Sequence, residues 1–267
     1  MRIGVIGGGN MAEALVAGWL SGGRAQAEEV VICEPVAERR AYWQATYGVR
    51  VSAENTDALA GTELVLLAVK PQTMAAALSG LSSAAYTGIW VSIAAGVPTE
   101  RLGRSLGGDS RLIRVMPNTP ALVGAGVSAL CRGGCASEAD LAIACGLFEA
   151  VGEVLVVEES EIDAVTAVSG SGPAYFFRLV EAMAEGGVAL GLSPDKAMRL
   201  AAGTLTGAGR LLAQSGVDAA ELRRRVTSPG GTTAAALGVM AAADFAGIVV
   251  RAELAAAERS RELSGQG

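Results

Sequence analysis

Histidine is absent from this sequence. The one side chain whose unperturbed charge change falls between pH 5 and 8 is therefore missing. Proton transfer must come from another side chain, bound water or the substrate itself. A Ser-His-Asp triad and a histidine-based metal site are excluded, and no metal is expected. Lysine is nearly absent as well, with Lys70 and Lys196 standing against a basic side made almost wholly of arginine. The cysteines Cys33, Cys131, Cys135 and Cys145 form no CxxC pair. They read as small buried hydrophobes in a reducing compartment rather than as zinc ligands or disulfides. A net charge of -6 argues against nucleic acid or an anionic membrane surface as the main partner. No run of 18 apolar residues escapes interruption by glycine or charge, and residues 1–7 enter a strand with no signal-peptide pattern. The expected location is the cytoplasm.

A chain of 267 residues, 51% hydrophobic and 18% charged, can bury one large core or two smaller ones. Short β-branched runs alternate with helical stretches through the first 157 residues. The runs are Arg2–Ile6, Val30–Cys33, Leu64–Val69, Trp90–Ala94, Leu112–Met116, Val127–Cys131 and Val154–Val157. Such alternation predicts an α/β fold, a mostly parallel sheet covered on both faces. Residues 161–264 carry hardly any β-branched run and predict four or five helices, punctuated at 169–173, 191–194, 215–218 and 228–231. The expected domains are 1–158, a doubly wound sheet, and 159–267, all helical. Alanine-rich helices with apolar faces have few ways to bury them alone, so dimerisation through this half is expected.

The turn Gly7-Gly8-Gly9-Asn10-Met11-Ala12 is a GxGxxA pattern lying between a strand and a helix. Gly7 permits the tight turn, Gly9 lets the backbone approach a pyrophosphate, and Ala12 keeps the helix close to the sheet. The helix start offers free N–H groups and a positive dipole end to phosphates. This is the Rossmann-type dinucleotide site, and the expected cofactor is NADPH or NADH. Glu34, 25 residues after Gly9, ends the second strand, where an acid accepts from ribose hydroxyls and favours NAD. Arg39 and Arg40 follow, either to meet a 2′-phosphate or as a solvated helix face, so the choice of cofactor stays open. Ligands in such sheets lie beyond the carboxyl ends of the strands. That adds Ala68, Val69, Lys70 and Pro71 after one strand, Ala95 and Gly96 after another, and Asn118 between two prolines after a third. Ordinary turn chemistry accounts for each taken singly.

In the helical half, Ser169-Gly170-Ser171-Gly172-Pro173 and Ser228-Pro229-Gly230-Gly231-Thr232-Thr233 are small-residue turns that each feed a helix. Pro173 suits a first helical position, and Thr232 or Thr233 suits a cap. Both starts are neutral and hydroxyl-rich, which fits a small anion such as a carboxylate.

The segments GGGNMAEAL (7–15), AVKPQ (68–72), SIAAGV (92–97), RVMPNTPALVGAG (114–126), AVSGSGPAYFF (167–177) and VTSPGGTTAAAL (226–237) resemble, in this order, the pyrroline-5-carboxylate reductases. The resemblance implies NAD(P)H-dependent reduction of Δ1-pyrroline-5-carboxylate to L-proline, by a Rossmann domain followed by a helical dimerisation domain. It also implies Asn55 near the adenosine ribose, Thr233 as the catalytic hydroxyl near the ring nitrogen, and Glu159 as a substrate-side acid. It implies a substrate pocket from Ser169, Gly172 and Pro173 with Ser228, Gly230, Gly231 and Thr232. Some members carry an asparagine that reaches the cofactor where this chain has Arg225.

The residue chemistry points the same way. A reduced ketone leaves an alkoxide that needs a proton, whereas a protonated cyclic imine already carries the charge that hydride neutralises. A chain without histidine, and without lysine in those two turns, suits the imine. Reduction of a 2-hydroxy or β-hydroxy acid's keto form is disfavoured on that ground. A cyclic imine of another ring size and a non-catalytic dinucleotide sensor stay as alternatives.

Overall fold

The computed structural model describes residues 1–81 and 86–265. Eight strands form one sheet in the order β3-β2-β1-β4-β5-β6-β7-β8. They are β1 Ile3–Ile6, β2 Val30–Cys33, β3 Arg50–Ser52, β4 Leu64–Leu67, β5 Ile89–Ser92, β6 Arg111–Met116, β7 Gly126–Gly134 and β8 Gly152–Val156. All pairings are parallel except β6 with β7. Each expected run forms a strand at or next to its place. The strand without a forerunner in the sequence is β3, an edge strand of three residues with a single apolar side chain between Arg50 and Ser52. The chain reverses direction across the sheet between β1 and β4, and that switch point opens the crevice described below.

The strands are apolar on both faces because helices cover both. Ile3, Val5, Ile32, Leu64, Leu66 and Val91 face α1 (Asn10–Ser21) and α5 (Glu138–Phe148), packing with Leu15, Trp19, Leu141 and Phe148. The alternate residues Ile6, Val31, Val65, Leu67, Trp90 and Leu112 pack with Met74, Leu78, Leu102 and Leu106 of α3 (Met74–Leu78) and α4 (Thr99–Leu106). Each fully buried aliphatic contributes about 1.5–3 kcal/mol relative to exposure. At Gly4 a Cβ would lie 2.1 Å from the Ala58 carbonyl oxygen, so the turn Asn55–Ala58 can cross β1 only over glycine.

Two compact units emerge, Met1–Ser171 with the last turns of the final helix from Ala256, and Gly172–Ala255. The sheet ends near the expected boundary at 158, but the first unit continues to Ser171. Arg114 of β6 pairs with Glu159 at 3.0 Å, and Asn118 donates to Ser169, which ties these residues to the sheet. Within the same unit Ser260 donates to Asp163 at 2.6 Å. The helices here are α6 Ile162–Val165, α7 Gly172–Ala189, α8 Pro194–Ser215, α9 Ala219–Arg225, α10 Thr232–Ala242 and α11 Phe245–Gly265.

Two sequence expectations change. Residues 169–173 are not an open turn: α6 runs through a π-helical segment, Thr166–Gly170, almost directly into α7. Pro173 has no N–H for the Ser169 carbonyl four residues back, and Asn118 Nδ2 supplies a donor at 3.2 Å instead. Thr232 and Thr233 do not cap α10. Gly231 holds the N-cap position, without a side-chain bond, and Gly230 turns the chain at φ +70°.

In the second unit α7 and α8 pack through small residues. A Cβ on Gly187 would approach that of Ala197 to 2.9 Å. Large apolar side chains stay exposed on the same unit, among them Phe176, Phe177, Leu190 and Val239. Of the cysteines, Cys33 and Cys131 are buried as expected, Cys145 is half-buried and Cys135 is exposed. Burial pushes the Cys33 thiol up to about 12 and the Cys131 thiol to about 11, so neither is a thiolate at neutral pH.

Asp140 joins β6 to α5. Its buried carboxylate accepts from Arg111 and from the Ser137 N–H in a capping box. The Arg111 bond, chiefly, holds its pKa at about 2 against an ordinary 3.8, despite burial. Replacing Asp140 by Ala should lower unfolding stability by about 2–4 kcal/mol at neutral pH, as for a broken, partly buried ion pair. A depressed carboxylate stabilises above its unfolded pKa. The gap between wild type and variant in urea unfolding should therefore close as pH falls through about 4 towards about 2.

Candidate dinucleotide site

Two cavities lie at the switch point, of about 420 Å3 and about 610 Å3. Both are lined by Gly9, Ala68, Val69 and Lys70, so they are halves of one crevice. The first adds Gly7, Glu34 and Asn55, and the second adds Asn10, Met11, Pro71, Ala95 and Asn118. The first also takes in Cys33, Pro35, Thr73, Ala76 and Ala77, and the second Ile93, Met116, Thr119 and Gly170. Of these, Thr73, Ala76 and Ala77 carry no signal of their own in the sequence, whereas Gly170 belongs to the small-residue segment at 169–173.

The three loop glycines are there for three reasons. Gly7 has φ +98°, and a Cβ on it would lie 2.9 Å from the Ala68 carbonyl oxygen on β4's extension. Gly8 has the Trp43 indole behind it, where a Cβ would approach Nε1 to 2.6 Å. Gly9 has ordinary backbone angles, and its missing Cβ would point into open space. Gly9 is also the N-cap of α1 and has no side chain, so no cap bond occupies the first-turn N–H groups. An open cradle at a helix start, between two cavities, fits a pyrophosphate joining two nucleoside halves.

The loop is held rigidly. Gly8 N–H donates to Glu34 Oε2 at 2.9 Å, and its carbonyl accepts from Arg39 Nε at 2.6 Å and Trp43 Nε1 at 3.0 Å. Arg39 also donates to Glu13 of α1 and lies over the Tyr42 and Trp43 rings. It is thus neither a solvated face nor a free phosphate ligand. Glu13 accepts further from Tyr42 and Tyr47, and these bonds with Arg39 outweigh burial and hold its pKa low.

Among the expected residues Gly8, Gly96 and Glu159 line neither cavity, Gly8 lying behind the loop against Trp43, and Asn118 does more than line one. Gly96 lines neither cavity; it is buried under Leu263, whose Cβ lies 3.0 Å from where a Cβ on Gly96 would be. Asn118 lines the second cavity, yet its amide is also a clasp, accepting from Val127 N–H and donating to the Ser169 carbonyl and hydroxyl. Glu159 lines neither cavity, and its carboxylate takes bonds from the Thr99 N–H and hydroxyl and from Arg114. Burial alone would raise its pKa, but these three donors hold it below the ordinary value. In the other unit Gly172 and Pro173 open α7, and Ser228–Gly231 form a turn closed by a 3.0 Å bond. Thr232 is exposed and Thr233 half-buried, with no side-chain hydrogen bond among the described residues.

The glycine roles separate by measurement. Gly9→Ala should keep the wild-type melting temperature and lose at least about tenfold in dinucleotide affinity, since the methyl enters the cradle. Gly8→Ala should instead lose about 1–3 kcal/mol of stability by overpacking Trp43. Thermal unfolding and nucleotide titration of both variants check this, and a Gly9→Ala protein that binds normally would remove the pyrophosphate from this loop.

A family model described as pyrroline-5-carboxylate reductase dimerisation matches residues 159–263, and one described as NADP oxidoreductase, coenzyme F420-dependent, matches residues 2–96. The dimerisation match makes the chain homo-oligomeric in kind, in keeping with its exposed apolar helices. A pyrroline-5-carboxylate reductase of Synechocystis sp. is 43% identical, over 98% of each chain. One from Pseudomonas aeruginosa is 45% identical, over 99% of this chain and 97% of the other. The solved pyrroline-5-carboxylate reductase of Coxiella burnetii superposes with a TM-score of 0.93 at 33% identity, over 98% of each chain. A pyrroline carboxylate reductase of Plasmodium falciparum, solved with NADP bound, gives 0.88 at 26%, over 99% of this chain and 98% of the other. With its sheet order and glycine crevice in place, and relatives at 43% and 45% identity over nearly the whole chain, the chain belongs to the pyrroline-5-carboxylate reductase family.

Proposed function

We propose that this chain reduces Δ1-pyrroline-5-carboxylate to L-proline with NADH or NADPH, as a homodimer or higher homo-oligomer in the cytoplasm. The observation that carries the proposal is the lining of the larger cavity, where, among the described residues, Lys70 is the one ionisable side chain. Lys70 is shared with the smaller cavity beside Gly9, the place for phosphates rather than for a proton donor. A crevice of amides, glycines and apolar groups gives no acid to a nascent alkoxide. A protonated imine needs none.

The bound dinucleotide supplies the hydride. Gly7–Met11 and Ala68–Pro71 hold its phosphates, Glu34 and Asn55 face the adenosine end, and Ala95 with Asn118 border the nicotinamide end. Ser228–Thr233 hold the substrate carboxylate at the start of α10, where the first-turn N–H groups and the dipole favour an anion. Thr233 orients the ring nitrogen, and Ser169–Pro173 shape the pocket against the nicotinamide. Glu159 supports the site by fixing Arg114 and the Thr99 turn, since its oxygens are already taken.

Hydrogen bonds to charged groups are worth about 1.5–3 kcal/mol. Thr233→Ala should therefore lower kcat/KM for the imine by about 10- to 100-fold and leave nucleotide affinity unchanged. Oxidation of the reduced nicotinamide is followed at 340 nm with pyrroline-5-carboxylate, pyruvate and a six-membered imine in parallel. Turnover with pyruvate alone would overturn the imine reading, and an unchanged kcat/KM would remove Thr233 from it. Light scattering should return at least twice the 26.8 kDa of the chain.

A further inference from the structure

Both arginines that follow β2 are already engaged, and among the described residues the charged side chain that lines the smaller cavity at that strand end is Glu34. From this we propose that the enzyme selects NADH over NADPH, with Glu34 as the specificity-determining residue and Arg39 as a positioning residue for the glycine loop. The inference rests on the dinucleotide reading of the crevice and is independent of the substrate.

In a sheet of this order the adenosine ribose lies over the end of β2. Glu34 is the first residue beyond β2 and lines the smaller cavity together with Pro35 and Asn55. Its carboxylate is aimed by two backbone donors, Gly8 N–H to Oε2 at 2.9 Å and Val36 N–H to Oε1 at 3.0 Å. Each oxygen keeps a further lone pair, which suits the two hydroxyls of an unmodified ribose. A 2′-phosphate carries close to two negative charges and would meet that carboxylate at short range.

Binding the phosphate would take a compensating cation, and the nearby ones are committed. Arg39 donates to the Gly8 carbonyl and to Glu13 while stacked over Tyr42 and Trp43. Moving it outward would release the pyrophosphate loop that the same cofactor needs. Arg40 donates to the Glu34 and Pro35 carbonyls, both at 2.7 Å, and so stiffens the turn that presents Glu34. Lys70 lines both cavities and belongs to their junction.

Calorimetric titration of the wild-type chain with NADH and with NADPH, in the absence of any imine, tests the proposal directly. NADH should bind about 10- to 100-fold more tightly, the weight of one or two hydrogen bonds to a charged acceptor. Glu34→Gln, which removes the charge and keeps an acceptor for Gly8, should shrink that ratio at least about tenfold. Arg39→Met should weaken both nucleotides by the same factor and leave the ratio unchanged. The ratio comes from one preparation, so partial unfolding of a variant cancels. Equal or tighter NADPH binding by the wild type would overturn the proposal, as would a loss of NADPH binding alone in Arg39→Met. Binding of neither nucleotide would overturn it together with the dinucleotide reading. Tight, selective binding without imine turnover would support it and count against the substrate reading alone.

Discussion

The backbone of Gly8 is gripped from both sides, by the Glu34 carboxylate on its N–H and by Arg39 and Trp43 on its carbonyl. Three consecutive glycines are otherwise the most mobile stretch a chain can have, and ordering each residue costs about 1–2 kcal/mol of backbone entropy. Here that cost is met during folding, by helix α2 (Ala37–Tyr47) acting as a brace. Trp43 is fully buried, so its indole cannot leave the Gly8 carbonyl without opening the core. Glu13 extends the brace to α1, because it binds Arg39, Tyr42 and Tyr47 of α2 at once. The cradle at Gly9 is therefore preformed, and a ligand spends little of its binding energy on shaping it.

A similar economy governs the far side of the sheet. Asn118 satisfies a strand N–H at Val127 and the carbonyl that Pro173 leaves without a helical donor, while its residue still borders the larger cavity. Arg114 and Glu159 join β6 to the segment beyond the last strand in the same manner. These polar groups are buried or half-buried and mutually satisfied, which is the condition for polar side chains to stiffen a site rather than weaken it.

What the sequence makes legible is what is local. The strand, GxGxxA turn and helix of residues 3–21 are encoded in contiguous spacing, and the alternating runs betray a sheet covered on both faces. The short edge strand β3 leaves no such trace, because one valine between an arginine and a serine has no period to detect. Residues 169–173 read as a turn from their Gly, Ser and Pro content, yet they end a π-helical segment and open α7, with Asn118, distant in sequence, donating to the Ser169 carbonyl. Gly96 looks like crevice backbone, but a leucine from the end of the last helix covers it. Arg39 is the sharpest case. Its neighbours suggest a solvated helix face or a phosphate ligand, and its partners Gly8 and Glu13 lie 31 and 26 residues away.

The scarcity of ionisable groups that first marks this sequence then has a physical reading at the site. A protonated cyclic imino acid is a zwitterion that brings its own positive nitrogen and its own carboxylate. A pocket rich in lysine or histidine would hold the carboxylate strongly while disfavouring the iminium charge that hydride transfer consumes, by more than 1 kcal/mol at about 4 Å even in a well-screened site. The carboxylate site proposed above, a neutral helix start with hydroxyls, would favour the anion through fixed dipoles rather than through a full positive charge. The proton that other reductases must deliver arrives on the substrate. The absence of histidine is then no gap in the machinery but the condition under which a crevice of glycines, amides and hydroxyls suffices.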